Sequence, residues 1–514
     1  MEFLVLGIGV LFIVAAIAGL KMHPFLALVL AGCIVGILSP QPLDLAEHLA
    51  VERAKLEGLY EAGAISREEF DSRSAQLKDQ TRDRLREQQK PGSQEVAAIE
   101  LTAREFGSTA ASIGIVIVLA AIIGQCLMES GAADKIVRRF LRLLGEKRAP
   151  ISLMGSGYFL SIPVFFDTVF FLLIPLARAL RFRTGKNYIL YVMAISGGAV
   201  VSHSLVPPTP GPLIMVENLG PMGLSLGTAL LLGSLLGVLP AATGLWFART
   251  MNRRLDIPLR EAMGSSKEEL QSIVNTPDEQ LPSFFLSILP VLAPVALIAG
   301  NAVLETLVDS QLIAVSESIT GWAEFIGNKN FALLIGTFFG LILLLKQKGG
   351  SLSALKDRLE PAFLSAGIII LITSAGGAFG KMLSRVGIAD ALGGLTGSGA
   401  LSGLVLILLA WGLSSLMKVA QGSGTVAMIT ASAMVASLLG ADFDLPFHPI
   451  YLYAAIGFGS LFVSWMNDSA FWVICKMSGF TEKETLKTWT TLMGVLGIAG
   501  LVEVVVLSYL LPLN

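Results

Sequence analysis

The stretch SHSLVPPTPGP, residues 202–212, follows the apolar run NYILYVMAISGGAVV and contains four prolines, two serines, a threonine and a histidine. Proline lacks the backbone N–H group and interrupts an α-helix, so the preceding apolar helix must break here. In a lipid bilayer, backbone groups released by a break are tolerated only where they are buried in protein or line a cavity. The stretch therefore predicts a broken helix that borders a functional cavity within a membrane protein.

The composition of the chain also indicates a membrane protein. It has 514 residues, 54% hydrophobic and 15% charged, whereas soluble domains carry about 25% charged residues. The mean hydropathy is +0.71, and apolar runs near the ~20 residues needed to cross a bilayer recur throughout. We predict an all-α polytopic membrane protein, most of which lies in the lipid bilayer. The net charge of −2 gives no reason to expect a nucleic-acid partner, and the three cysteines, all in apolar runs, indicate neither disulfides nor a metal site.

Residues 41–106 depart from this apolar pattern. They contain 14 acidic and 10 basic residues, without a run long enough to cross a bilayer. Leucines and aromatic residues recur at helical spacing on either side of a turn at Gly63. We predict that this segment is an extramembrane helical-hairpin insertion, either a solvated structural element or a partner-binding or regulatory module.

Two apolar segments, 151–180 and 401–440, are too long for one membrane crossing and too short for two. Asp167 and Lys418 lie near their centres, together with helix-breaking residues. Two half-helices that meet at a polar tip and return to the same side explain both segments. The flanks of the first are basic, whereas those of the second have no Lys or Arg, so the positive-inside rule places the two re-entrant hairpins on opposite sides of the membrane.

The same rule predicts an inverted topology with both termini outside, because each half makes five crossings. Two crossings precede residue 41, and the others are expected at 108–130, 187–212, 222–248, 284–304, 329–345, 361–386, 449–468 and 488–511. The domains predicted from this topology are an N-terminal repeat at 1–250, a cytoplasmic linker at 251–283 and a C-terminal inverted repeat at 284–514.

Short matching stretches support the repeat. DTVFFLLIPLARAL corresponds to GTVAMITASAMVAS, and GGAVVSHSLVPPTPG corresponds to GSLFVSWMNDSAFWV. Inverted repeats with interrupted helices at equivalent positions indicate the substrate site of a secondary transporter. The four interruptions are therefore expected to converge near the middle of the membrane.

The residue types at these interruptions favour an anionic, hydroxylated ligand. Helix N-termini carry positive partial charge, glycines let backbone amides approach, and hydroxyl, amide and ammonium groups donate hydrogen bonds. The alternative for each hydroxyl is an ordinary helix–helix hydrogen bond. The candidate substrate-binding residues are Asp167, Thr168, Ser202, His203, Lys418, Gly422, Ser423, Gly424, Thr425 and Asn467.

Three ionisable residues at the interruptions are candidates for carrying a coupling proton. Asp167, His203 and Asp468 all lie at membrane depth, where ionisable groups are costly and usually functional. A buried carboxyl group retains a proton more readily, and histidine titrates near neutral pH. The alternatives are that Asp468 caps the following half-helix and that His203 is a structural hydrogen-bonding group.

The chain resembles the GntP-type gluconate permease family of the ion transporter superfamily. That family consists of proton symporters for gluconate and related sugar acids in the inner membrane. The resemblance implies an elevator mechanism, a mobile transport domain that holds the hairpins and broken helices, and a homodimer. Lys418 stands where the family commonly has arginine, and Thr209 where it commonly has histidine. The stretches that carry the resemblance are MHPFLALVLAGCIVGIL, SHSLVPPTPGP, GGAFGKMLSRVGIAD, GSGTVAMITA and NDSAFWVICKMSGFTEKETLKTW.

The expected function is therefore proton-coupled symport of gluconate or another small hydroxy-carboxylate, with no cofactor other than the coupling ion. One alternative keeps the fold and changes the solute to a hydroxy-amino acid such as serine, glycerate or another carboxylate, with Na⁺ instead of H⁺ as a possible coupling ion. A second alternative is an intramembrane enzyme using the same ionisable residues. The inverted symmetry disfavours this enzyme, because catalysis does not require access from two sides.

Overall fold

The computed structural model describes residues 2–39, 73, 93–144, 148–260, 277–309, 313, 315–349, 352–385, 403–439, 443–466 and 468–513. Regular structure within these ranges is helical. Residues 41–72 and 74–92 of the predicted insertion and residues 261–276 of the predicted linker lie outside the described residues, as does Asn467.

The helices up to residue 260 are α1 Glu2–Val14, α2 Pro24–Ile37, α3 Ser93–Glu129, α4 Ala132–Leu144, α5 Ala149–Leu160, α6 Phe166–Thr184, α7 Tyr188–Leu205, α8 Pro210–Leu219, α9 Leu226–Leu236 and α10 Val238–Arg254. Those after it are α11 Phe284–Asp309, α12 Glu317–Gly327, α13 Lys329–Lys348, α14 Leu352–Arg385, α15 Gly403–Gln421, α16 Gly424–Leu439, α17 Ile450–Gly459, α18 Ser469–Ser478, α19 Glu482–Thr485 and α20 Thr491–Leu510. A π-helical turn, Ala15–Gly19, extends α1, and a second, Leu486–Thr490, joins α19 to α20.

Within the described ranges, eight helical segments are long and apolar enough to cross a membrane. Seven coincide with predicted crossings, and the eighth, Gly403–Ala420, is the first arm of the predicted second hairpin. Three predicted crossings correspond instead to shorter apolar helices: Leu4–Ile17, Pro24–Ile37 and Ile450–Gly459. The protein is therefore an integral membrane protein with an all-helical fold.

The helix that contains the predicted crossing at 108–130 extends into the segment predicted as the insertion. α3 is helical from Ser93, so residues 93–106 belong to this helix. Glu105 on this helix is buried. Its carboxylate accepts a hydrogen bond from Arg385 at 2.5 Å and forms an ion pair with Lys381 at 3.2 Å. Such pairing offsets the cost of burying the charge.

The described chain divides into two compact units. The first comprises the described parts of 1–110, 374–400 and 433–440, and the Glu105 ion pairs lie within it. The Ser437 hydroxyl donates to the Gly380 carbonyl in the same unit, at 2.9 Å. The second unit comprises the described parts of 111–373, 401–432 and 441–514. All described candidate site residues lie in the second unit.

Glycines allow α5 and α7 of the second unit to pack with their backbones in direct contact. A Cβ atom on Gly198 would collide with the backbone of Met154, and one on Gly157 would lie 2.8 Å from the Ile195 carbonyl oxygen. Close backbone approach at small residues is the usual way in which membrane helices gain van der Waals contact. The two helices that lead into the first two interruptions are therefore held in close contact with each other.

The four predicted interruptions coincide with helix ends in the second unit. The helices stop between α5 and α6 at 161–165, between α7 and α8 at 206–209, between α15 and α16 at 422–423, and between α17 and α18 at 460–468. A new helix N-terminus follows each of them.

Thr209 satisfies carbonyl groups that the prolines leave without a helical donor. In a continuous helix, the His203 carbonyl would accept from residue 207 and the Val206 carbonyl from residue 210, and both are prolines. Instead, the Thr209 hydroxyl lies 2.9 Å from the His203 oxygen and 2.8 Å from the Val206 oxygen. The Thr209 side chain thus stabilises the break between α7 and α8.

We expect Thr209→Val, which preserves side-chain shape, to destabilise the protein by about 1–3 kcal/mol, because two carbonyls lose their shared donor. Thermal unfolding of the purified protein in detergent measures this as a lower midpoint temperature. Thr243→Val is the matched control, since the Thr243 hydroxyl makes an exposed bond to the Leu239 carbonyl. Equal midpoints for the two variants would contradict the stabilising role of Thr209.

Candidate functional site

A buried ion pair joins the second hairpin to the last interruption. Lys418 lies in the final turn of α15, and its ammonium is 2.6 Å from Asp468 Oδ2 and 2.6 Å from the Gly422 carbonyl oxygen. The side chains are 4% and 5% exposed, respectively. Charges with so little access to water persist only when they are paired and hydrogen-bonded.

Asp468 uses both of its carboxylate oxygens. Its Oδ1 accepts the backbone N–H of Ala470 at 3.0 Å and so caps α18. Its Oδ2 accepts the Ser464 hydroxyl as well as the Lys418 ammonium. The capping role considered for Asp468 is confirmed, and the same side chain also holds the only lysine placed in the predicted site.

Ser464 links this carboxylate to Trp489. The indole Nε1 of Trp489 donates to the Ser464 hydroxyl oxygen at 2.7 Å, and both residues are fully buried. Trp489 belongs to the π-helical turn Leu486–Thr490, an irregularity that is frequent at functional sites. We call Lys418, Asp468, Ser464 and Trp489 the Lys418 cluster.

The first hairpin reaches the Lys418 cluster through its tip. Phe166, the first residue of α6, stacks on Trp489 with ring centroids 5.4 Å apart. Asp167 follows it, and the charges of Asp468 and Lys418 both act on its carboxylate. The N-cap residue, Phe165, provides no side-chain acceptor, so the first N–H groups of α6 have no side-chain cap.

The α7 end contributes two buried polar atoms without a hydrogen-bond partner among the described residues. They are the Ser202 hydroxyl oxygen and His203 Nδ1. The His203 ring lies 6.3 Å from the ring of Phe165, and the Lys418 charge acts on it. Buried polar atoms are nearly always hydrogen-bonded, so these two are available to a bound solute or water.

Glycines shape the tip of the second hairpin. Gly422 has φ of 84°, a left-handed conformation that favours glycine, and its carbonyl receives the Lys418 ammonium. A Cβ atom on Gly424 would lie 3.3 Å from the Ser460 carbonyl oxygen and 3.8 Å from Lys418 Nζ. The Ser423 hydroxyl accepts the Val426 N–H at 3.3 Å and so caps α16.

The structure brings six candidates into mutual contact or electrostatic range: Asp167, His203, Lys418, Gly422, Gly424 and Asp468. Thr168 and Thr425 are half-buried in the first turns of α6 and α16, and Ser423 caps α16. Asn467 lies outside the described residues. In the described ranges, no group of three or more His, Cys, Asp or Glu side chains could hold a metal ion.

The sequence did not identify Ser464 and Trp489 as site residues. The sequence does contain an indication for Ser464, because this residue matches the candidate Ser202 when the two halves of the chain are compared. Trp489 had none, since the surrounding EKETLKTWT resembles the polar start of an ordinary helix. Its role depends on the π-helical turn and on the proximity of the first hairpin tip.

Comparison with known proteins identifies the family. The family described as GntP family permease matches residues 93–510. A gluconate permease of Pseudomonas aeruginosa is 31% identical over 413 residues, covering 79% of this chain and 86% of that protein. An uncharacterised permease of Haemophilus influenzae is 34% identical over 393 residues, covering 75% and 78%.

A solved structure shares the fold at much lower sequence identity. The YdaH transporter of Alcanivorax borkumensis superposes with a TM-score of 0.60 over 83% of this chain and 91% of that chain, at 16% identity. At that identity the likeness concerns the arrangement of helices alone.

Proposed function

This chain belongs to the GntP family of permeases, and we propose that it is a proton-coupled symporter for gluconate or a related sugar acid in the cytoplasmic membrane. Members of this family are permeases, so the chemistry of the site is binding and release rather than catalysis. The gluconate permease of P. aeruginosa supports the choice of solute.

The observation that carries the proposal is the buried Lys418 cluster between interrupted helices. The site offers a cation at Lys418, uncapped N–H groups at the start of α6 and, at the end of α7, the unpartnered polar atoms of Ser202 and His203. A carboxylate needs positive charge and N–H donors, whereas the hydroxyls of a sugar acid need groups that both donate and accept. An apolar or cationic solute would leave these groups unsatisfied.

The arrangement of interruptions supports an inverted repeat with elevator motion. In each half a hairpin break comes first, at 161–165 or 422–423, and a broken helix follows, at 206–209 or 460–468. The proposed transport domain holds these four elements and alternately exposes the Lys418 cluster to each side. Outside termini and a homodimer remain predictions of the same account.

The proposed solute is tested by counterflow in proteoliposomes. Vesicles loaded with unlabelled gluconate are diluted into labelled gluconate without any ion gradient, so the assay reports recognition and exchange alone. We expect labelled gluconate to enter, and excess unlabelled gluconate outside to abolish its entry. Entry of serine or glycerate but not gluconate, from protein shown to be folded, would instead support the other-solute alternative.

Trp489 gives a sharper test of the site's location. Trp489→Phe keeps an aromatic ring for stacking on Phe166 and removes the N–H group that donates to Ser464. A hydrogen bond of this kind contributes about 1 kcal/mol, so we expect gluconate to bind about fivefold more weakly. Trp411→Phe is the matched control, because its indole bonds the Gly497 carbonyl outside the cluster. Equal affinity losses in both variants would contradict the assignment.

A further inference from the structure

We propose that Asp468 and the carboxylate of the solute compete for the Lys418 ammonium, so that the solute binds when Asp468 carries the coupling proton. The inference rests on the proposed function and assigns the coupling proton to one of the three candidate residues. In this structure, Asp468 Oδ2 and the Gly422 carbonyl accept two of the three hydrogen bonds that the Lys418 ammonium can donate, and Asp468 supplies the negative charge that neutralises it. Asp468 thus supplies the anion that pairs with Lys418 when no solute carboxylate does so.

Charge balance forces the competition. Lys418 is buried with one carboxylate partner, and the pair is neutral. A second carboxylate beside an ionised Asp468 would place an uncompensated negative charge where little water reaches it, which is strongly unfavourable. A proton on Asp468 removes that excess and leaves a single ion pair, now between Lys418 and the solute. One proton therefore accompanies one monovalent acid.

The hydrogen bonds around Asp468 accommodate the proton. A protonated Oδ2 donates to the Ser464 oxygen, which has two acceptor positions and uses one for the Trp489 indole. The Ser464 proton is then free to turn to another acceptor, and Oδ1 continues to accept the Ala470 N–H. Protonation therefore releases Lys418 without uncapping α18. The only covalent change is the O–H bond on Asp468 Oδ2, which forms when the proton enters with the solute and breaks when the proton leaves with it.

Two other titratable groups face this pair. Asp167 on α6 interacts with Lys418 and Asp468 through its charge, and His203 on α7 interacts with Lys418 in the same way. Neither makes an ion pair with the Lys418 ammonium within the described ranges, where Asp468 does. Their charges modify how strongly the solute binds, whereas Asp468 determines whether Lys418 is available.

The test is gluconate binding to the purified full-length protein, measured by calorimetry from about pH 5 to about pH 8. For the wild type, we expect the dissociation constant to rise with pH, by about tenfold per pH unit where each gluconate must bring one proton with it. Asp468→Asn should bind with the same affinity throughout. Asn also caps helix N-termini, and its amide N–H₂ donates to Ser464 as a protonated carboxyl would.

A matched variant distinguishes the two aspartates. Asp167→Asn should alter the affinity but retain the pH dependence of the wild type. In proteoliposomes, Asp468→Asn should lose accumulation driven by a proton gradient, and any counterflow that it supports should not vary with pH. If Asp468→Asn does not fold, Asp468→Ser gives the same test, because serine is a neutral residue that also caps a helix.

The outcomes separate this inference from the proposed function. A wild-type protein that is folded and binds no gluconate at any pH overturns the proposed function, and the inference with it. If gluconate binding depends on pH in the same way in the wild type and in Asp468→Asn, the inference is overturned and the proposed function stands. If Asp167→Asn binds gluconate independently of pH and Asp468→Asn binds it with the pH dependence of the wild type, the coupling proton belongs to Asp167. That result would also overturn the inference.

Discussion

Replacing Lys418 with methionine should abolish transport and destabilise the protein by about 3–5 kcal/mol, the usual cost of removing one partner of a buried ion pair. Methionine has nearly the shape of lysine without the charge, so little packing is lost. The Asp468 carboxylate would remain buried, with Ser464 and the Ala470 N–H as its donors but no cation. Thermal unfolding in detergent and gluconate counterflow measure the two effects.

The double variant Lys418→Met with Asp468→Asn separates stability from function. With both charges removed, no buried charge lacks a partner, and we expect most of the lost stability to return. Transport should remain absent, because the cation for the solute carboxylate is missing. Counterflow at the wild-type rate in either variant would contradict the role of Lys418 in binding.

Gly198→Ala should strongly destabilise the protein although it adds a single methyl group. The added Cβ atom would collide with the backbone of Met154 on α5, which cannot move aside as a flexible side chain could. Overpacking in a rigid contact costs about 1–3 kcal/mol and more where backbone must shift. We expect a large fall in the unfolding midpoint and poor yield of folded protein.

Gly155→Ala is the control for this change, because Gly155 also lies on α5 and nothing approaches its Cβ position within 4 Å. Alanine favours the helix by about 0.5–1 kcal/mol over glycine, so this variant should be as stable as the wild type or slightly more stable. Midpoints that fall equally in both variants would show that the α5–α7 contact is looser than described.

The sequence predicted the helix interruptions because their causes are local. Prolines at 207, 208, 210 and 212 remove backbone donors whatever surrounds them, and the break between α7 and α8 lies there. Hydropathy likewise predicted seven of the eight long apolar helical segments. The burial of Glu105 could not be predicted from local sequence, because its carboxylate pairs with Arg385, 280 residues away.

The pairing within the site could not be predicted in the same way. Lys418 and Asp468 were both recognised as candidates, but for separate roles, one with the solute and one with the proton. They are 50 residues apart, and their contact depends on how α15 packs beside the interruption before α18. The distance of 2.6 Å between them is the observation on which the proposed competition for Lys418 rests.

Accumulation of labelled gluconate in proteoliposomes under an imposed inward proton gradient tests the account most directly. The account predicts that gluconate accumulates above its external concentration without Na⁺, and that an uncoupler or Asp468→Asn abolishes this accumulation. Accumulation that requires a Na⁺ gradient and ignores the proton gradient, or that survives in Asp468→Asn, would contradict it.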